Sequence, residues 1–272
     1  MSEVYPVLEV EALVKCYASR RGAGGGGRRN AVDGVSLSIA PATTLALVGE
    51  SGSGKSTLAF CVACLEKPTS GRIWWHGLEV SLLTEENLRP SRSRVQMIFQ
   101  DPASAMNPRW TASQIVAEPL VIQNQLTRRD QFDQARLLIE RVGLPASAVS
   151  RRLAEFSGGQ RQRIAIARAL ALDSKLLILD EALSALDCSV QAQIANLLLD
   201  LQASSGISIL FITHDLAMAA HLADQIAVMD GGKIVESGTA DDIIRHPEQE
   251  QTRMLLAASS GLGRATAESR DV

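Results

Sequence analysis

The sequence predicts an α/β fold in which a buried strand runs through a glycine-rich loop into a helix. Three observations predict it. Thr44-Leu45-Ala46-Leu47-Val48 is a short apolar run suited to a buried parallel strand. Gly49-Glu50-Ser51-Gly52-Ser53-Gly54-Lys55-Ser56-Thr57 follows it with the spacing G-x-x-x-x-G-K-[ST], and Lys55 to Leu65 contains no Gly or Pro and reads as a helix. A second apolar run, Lys175-Leu176-Leu177-Ile178-Leu179-Asp180, reads as another buried strand and is followed at once by Glu181.

Ahead of the first strand, Leu8 to Leu47 alternates apolar and polar residues (Leu8, Val10; Val35, Leu37, Ile39), which predicts antiparallel strands. The basic, glycine-rich stretch from Arg20 to Arg29 breaks that alternation and reads as a solvated hairpin extension that could brush acidic headgroups or phosphate. The loop at Gly49–Gly54 then brings backbone N–H groups and a helix N-terminus to one centre, which suits a phosphate oxyanion. Lys55 adds a full charge for β/γ-phosphates and Ser56 a hydroxyl for Mg²⁺. At ~4 Å and an effective dielectric of about 20, such a Lys–phosphate pair is worth roughly 4 kcal/mol before desolvation. Cys61 and Cys64 fall late in the predicted helix, three apart on one face, and read as small buried apolar residues.

Residues 71–80 read as a strand pair around His76-Gly77, with Trp74 and Trp75 on opposite faces, and 94–99 as an apolar strand ending at Gln100. From Asp101 to about Gly143 the pattern becomes helical, with Leu137, Leu138, Arg141 and Val142 facing one way before Gly143. Phe156-Ser157-Gly158-Gly159-Gln160-Arg161-Gln162-Arg163 opens another helix. Ser157 suits an N-cap, the two glycines leave amides bare, and Ile164, Ala167, Leu170 and Ala171 share a face. This predicts a second anion-binding helix end. Beyond Asp180, whose carboxylate suits Mg²⁺, Glu181 is placed to orient and deprotonate an attacking water. Val190, Ile194, Leu197, Leu198 and Leu201 form an amphipathic helix stopping before Gly206. Ile207–Ile212 reads as a buried strand, and Ile226–Met229 with Lys233–Val235 as a hairpin around Asp230-Gly231-Gly232.

The 272 residues carry 27 basic and 30 acidic side chains, a net charge of −3, and a pI near 5.9. That balance gives no general reason to bind nucleic acid. No run approaches the ~20 apolar residues of a membrane span, and no secretion signal opens the chain, so a cytosolic location is expected. Four scattered cysteines do not make a disulfide framework.

Taken together, the phosphate loop, Gln100, Ser157-Gly158-Gly159-Gln160, Asp180-Glu181, Ser184-Ala185-Leu186-Asp187 and His214 follow one another as in ATP-binding-cassette nucleotide-binding domains, which the chain resembles over roughly residues 8–240. The resemblance implies one such domain over 1–272. Its core would be RecA-like, with an antiparallel β subdomain and the phosphate loop in 1–100 and an inserted α-helical subdomain at 101–155. The signature helix and remaining core would occupy 156–240, and a tail 241–272. It implies ATP and Mg²⁺ as cofactors. Tyr17 resembles the aromatic that stacks on adenine, and Gln100 the residue that senses Mg²⁺ and the attacking water. Asp187 resembles the link across a cassette dimer and His214 the γ-phosphate switch. Ser157–Gln160 of one subunit would cap the nucleotide held by another, so a head-to-tail dimer is expected.

Phe99-Gln100-Asp101-Pro102-Ala103-Ser104-Ala105-Met106-Asn107-Pro108-Arg109, with Ala117-Glu118-Pro119-Leu120 and Leu65-Glu66-Lys67-Pro68-Thr69-Ser70-Gly71, is similar to the peptide/nickel importers. Ala182 after Glu181 is similar to nickel-type subunits, and the tail from His246 to Arg253 resembles the subfamily only in part. The implied function is an ATP-hydrolysing subunit at the cytoplasmic face of the inner membrane. It would drive import of peptides, nickel or metal chelates, beside a related second ATPase, two integral permease subunits and, indirectly, a solute-binding protein. An exporter or lipid-extracting ATPase, and a cassette acting on DNA or ribosomes, are the rival readings.

Overall fold

Near the N-terminus of this protein, strands that alternate apolar and polar residues pair antiparallel, whereas the buried apolar strands that follow pair mainly in parallel. The computed structural model describes residues 5–18, 28–123 and 126–268, so most of the predicted loop at 20–29 lies outside the described residues. Along the chain run β1 (Leu8–Ala18), β2 (Arg28–Ile39), β3 (Thr44–Val48), α1 (Lys55–Val62), β4 (Ser70–Trp75), β5 (Leu78–Glu79) and the short α2 (Glu85–Leu88). Then come β6 (Val95–Ile98), α3 (Ala112–Gln123), α4 (Arg128–Arg141), α5 (Gly158–Leu170), β7 (Leu176–Asp180) and α6 (Cys188–Ser205). The last elements are β8 (Ser208–Thr213), α7 (Leu216–Leu222), β9 (Gln225–Asp230), β10 (Lys233–Thr239), α8 (Ala240–Arg245) and α9 (Glu250–Glu268). Two units group them: residues up to Asn87 with those from Ser208 onward, and Leu88–Ile207.

In the first unit β1 pairs antiparallel with β2 and β4, and β5 joins β4. Leu8, Val10, Leu13, Val32, Val35 and Ile39 turn to the core, as their alternation requires. β3 lies between β8 and β9 and is parallel to both, while β10 turns back antiparallel on β9. Every residue of β3 and β8 is buried, which is why both read as continuous apolar runs. The helix α1 is shorter than its sequence suggests. It stops at Val62 rather than Leu65, because Cys64 takes a left-handed φ of 54°. The N–H of Leu65 then bonds to the Phe60 carbonyl (2.8 Å) and that of Cys64 to the Cys61 carbonyl (3.0 Å). This is a Schellman closure with cysteine where glycine is usual. Cys61 is buried and Cys64 half-buried and outside the helix, so the two do not share a helical face. The buried Trp75 indole donates to the Val62 carbonyl at 3.0 Å and finishes the end of α1.

In the second unit β6 and β7 pair in parallel, and α3, α4, α5 and α6 supply the rest of its core. Thr127 caps α4, whose Leu138, Ile139 and Val142 are buried. Leu137, expected on that face, is 59% exposed, because the buried face runs through Ala135, Leu138, Ile139 and Val142 at helical spacing and Leu137 lies off it. Ile164, Ala167, Leu170 and Ala171 are buried together on α5, and Ile194, Leu198 and Leu201 on α6, which ends at Gly206. Val190 and Leu197 are only half-buried.

Candidate nucleotide site

Helices in this chain mostly cap themselves. Thr127, Ser157, Asp187, Asp215 and Thr239 each accept a backbone N–H at the start of α4, α5, α6, α7 and α8. The phosphate-loop helix is different: Gly54 stands at its N-cap with φ 109° and has no side chain to offer. The N-cap position therefore offers no side-chain acceptor, and α1 opens directly onto the loop.

The loop is held by its neighbours in the first unit. A Cβ on Gly49 would stand 2.2 Å from the Met229 carbonyl oxygen, and one on Gly54 2.1 Å from that of Ala31. Gly232, in the β9–β10 turn, donates to the Ser53 carbonyl (2.9 Å) and accepts from the Asp33 amide (2.8 Å). The predicted hairpin thus buttresses the loop, a role nothing in its local sequence announces. Lys55 is 4% exposed, and its ammonium donates to the Gly49 (2.7 Å) and Glu50 (2.8 Å) carbonyls. Ser53 is buried, Ser56 and Thr57 half-buried, Glu50 and Ser51 exposed. The β3–β8 register sets Val48 beside Thr213, so the exposed His214 leaves the sheet at the edge where Gly49 begins. Asp215 caps α7 through the Ala217 and Met218 amides and fixes the backbone just after His214. Tyr17, on β1, is 40% exposed.

The second unit carries the carboxylates. Asp180 is 6% exposed at the end of the fully buried β7. The parallel register pairs Ile98 with Leu179, so Gln100 and Glu181 come off the same edge of that strand pair. Glu181 has φ 47°, a left-handed backbone on a non-glycine residue, stabilised by Ser184, whose N–H (3.1 Å) and hydroxyl (2.8 Å) both donate to its carbonyl. No sequence signal marks that strain. Ser157 and Gln160 form a reciprocal capping box at the start of α5. The cap uses the Ser157 and Gln160 amides and leaves those of Gly158 and Gly159 outside it. Gly159 also has a packing reason, because its Cβ would lie 2.4 Å from the Val190 side chain. The exposed Asp187 caps α6 by accepting from the Val190 amide at 2.9 Å. The start of α5 and the Leu186–Val190 segment therefore belong to one packed cluster.

A glycine-cradled ammonium, a helix that opens on a glycine N-cap and a strained acid after a buried strand are parts suited to phosphoryl chemistry. Comparison with known proteins agrees. The family model described as ABC transporter matches residues 32–184. The chain is 46% identical over 258 residues to the probable peptide ABC transporter ATP-binding protein y4tS of Sinorhizobium fredii, covering 93% of this chain and 72% of that one. It is 46% identical over 229 residues to the oligopeptide transport ATP-binding protein OppF of Salmonella typhimurium, covering 84% and 69%. The dimeric post-hydrolysis structure of the ATP-binding cassette MJ0796 bound to ADP and Pi superposes with a TM-score of 0.76 at 26% identity, covering 86% and 98%. CbiO1 of Clostridium perfringens, part of the ABC transporter complex cbiONQ, gives 0.77 at 26%, covering 96% and 99%. The expected α/β cassette fold is the one observed, and the chain belongs to the ABC transporter family as an ATP-hydrolysing cassette.

Proposed function

We propose that this chain powers an importer of short peptides, as its relatives' names suggest, rather than one of nickel or metal chelates. The observation that carries the motor half is a glycine loop shaped by its neighbours, running through a glycine N-cap and a buried lysine into α1. In this reading Gly49–Thr57 grips the phosphates and Tyr17 stacks on the base. Glu181 takes the proton of the attacking water, with Gln100 and His214 reporting on the γ-phosphate. Mg²⁺ prefers hard oxygen donors, and the Ser56 hydroxyl, the Gln100 amide oxygen and the Asp180 carboxylate are of that kind. Bound, the ion would neutralise charge on the phosphates. The Gly158 and Gly159 amides, outside the Ser157–Gln160 cap, would face nucleotide on a second, related cassette, with Asp187 at that junction. ATP favours the closed pair by binding it better than the open one.

No helix among the described residues is long and apolar enough to cross a membrane, so movement of substrate is assigned to integral permease subunits fed by a solute-binding protein. The helical insert offers them a foothold on the inner face of the membrane. Trp110, Ala117, Val121, Ile122 and Phe132 line an open groove of about 600 Å³, and Ile122 is 66% exposed. An apolar groove of that kind accepts an amphipathic helix. Affinity purification of the chain from detergent-solubilised membranes tests the proposal. Integral subunits and a second cassette should co-purify, and recovery with ribosomes, DNA or an export complex instead would overturn it.

A further inference from the structure

Beside α1, Tyr17 belongs to a cluster whose other members, Lys15 and Glu66, have no part in these roles. Lys15 and Tyr17 stand two apart on β1, and Glu66 follows the end of α1. The Tyr17 hydroxyl donates to Glu66 Oε2 at 2.5 Å. The Lys15 ammonium sits over the Tyr17 ring, 5.1 Å from its centre. That ammonium is itself held by Glu66 Oε2 at 3.1 Å and by the Lys67 carbonyl at 2.8 Å. Burial and the bond to Glu66 push the Tyr17 hydroxyl up to about 12, so it stays a donor at any working pH.

An exposed tyrosine ordinarily changes rotamer in picoseconds to nanoseconds. This ring is pinned at its hydroxyl and covered on one face by a cation, yet 40% of the residue is open to solvent. A fixed ring with one free face is a stacking platform for a flat π-system, and the ordering it needs has been met before the ligand arrives. We propose that Glu66 and Lys15 are positioning residues that lock Tyr17 so that a single ring face receives the base of the nucleotide. This deepens the base-stacking role proposed for Tyr17 and rests on it.

Binding of ATP, and of tripolyphosphate as a base-free probe, to the full chain with Mg²⁺ tests the proposal. Glu66→Ala and Tyr17→Phe should each weaken ATP about fivefold and leave tripolyphosphate unchanged, whereas Glu66→Gln, which keeps an acceptor, should stay within about twofold of wild type. In turnover the loss should fall on KM, with kcat preserved. Tyr17→Ala separates the two readings. If it leaves ATP affinity unchanged, the ring does not hold the base and both readings fail. If it weakens ATP while Glu66→Ala does not, the base reading stands and the positioning role is overturned. Equal loss of ATP and tripolyphosphate in Glu66→Ala would mark a merely structural residue and also overturn it.

Discussion

Gly49→Ala separates a glycine kept for the ligand from one kept for the fold. Gly49 does not have a positive φ, so alanine suits its backbone, and the loss of chain entropy in the unfolded state favours alanine by about 0.5 kcal/mol. Against that, the new Cβ stands 2.2 Å from the Met229 carbonyl oxygen and 2.9 Å from the Ser53 hydroxyl. The first contact is about 1 Å too close, and both atoms that must separate belong to backbone, one in the loop and one in β9. Overpacking of this kind costs roughly 2–3 kcal/mol. The balance is a destabilisation of about 2 kcal/mol, or ~4–8 °C in Tm for a chain of this size. Thermal melts without nucleotide measure it directly. Gly52→Ala is the control. Its Cβ would meet open space, and only the left-handed φ of 83° opposes it, at about 1 kcal/mol. If the nucleotide-free Gly49→Ala protein melts within about 1 °C of wild type while losing ATP affinity, the packing argument is wrong and the glycine serves phosphate approach alone.

Lys55→Ala should abolish ATP hydrolysis, since it removes both the charge for the phosphates and the ammonium that ties the Gly49 and Glu50 carbonyls together. Wild-type turnover would refute that role. Glu181→Gln should retain ATP and slow turnover by at least about 10²-fold, the usual worth of a positioned base. Glu181→Gly should be equally inactive yet melt about 2–4 °C higher, because glycine accepts φ 47° without strain; a lower Tm would refute the strain. Burial pushes the Glu236 carboxyl up, but the Glu248 amide, the Thr252 hydroxyl, the Gln249 amide and the Arg253 charge together hold it below its ordinary value. A depressed carboxyl stabilises the fold at neutral pH and loses that contribution as pH falls through its lowered pKa. The Tm gap between wild type and Glu236→Gln should therefore be widest near neutral pH and narrow as pH falls below the ordinary carboxyl range and through the lowered pKa. A gap independent of pH would sink the assignment.

The parts of this protein legible from sequence are those whose cause is local. β3 and β7 read correctly because a strand buried on both faces is apolar along nearly its whole length, with Thr44 and Asp180 only at its ends, and α6 because Gly206 stops it where the apolar face ends. The strand–loop–helix order around Gly49–Lys55 reads correctly because the glycine spacing marks a tight turn into a helix start. Where the local cause is carried by an unusual residue or by an exact helix face, the reading falls short. Cys64 looks like helix until its N–H is found closing a Schellman turn, a place the sequence would mark only with glycine. Leu137 looks like core because it sits next to Leu138, although the apolar face of α4 has room for only one of the two.

Glycine shows the same division within the candidate site. At Gly52 the left-handed backbone is reason enough for the residue, and a short motif conveys it. Gly49, Gly54 and Gly159 are each fixed in addition by an atom remote in sequence: the carbonyls of Met229 and Ala31, and the Val190 side chain. Those distances change what conservation of the motif's form would mean physically. The Gly-Gly of Ser157-Gly158-Gly159-Gln160 looks like a pair of bare amides awaiting an anion. Its second glycine is required by the approach of α6 even before any anion is considered, and only the first, whose Cβ would make an ordinary 3.4 Å contact with Leu186, is left for the ligand to explain. Alanine at Gly158 is thus tolerated by the fold, and any loss of turnover it causes belongs to nucleotide chemistry. Alanine at Gly159 disturbs the packing of α5 on α6 first.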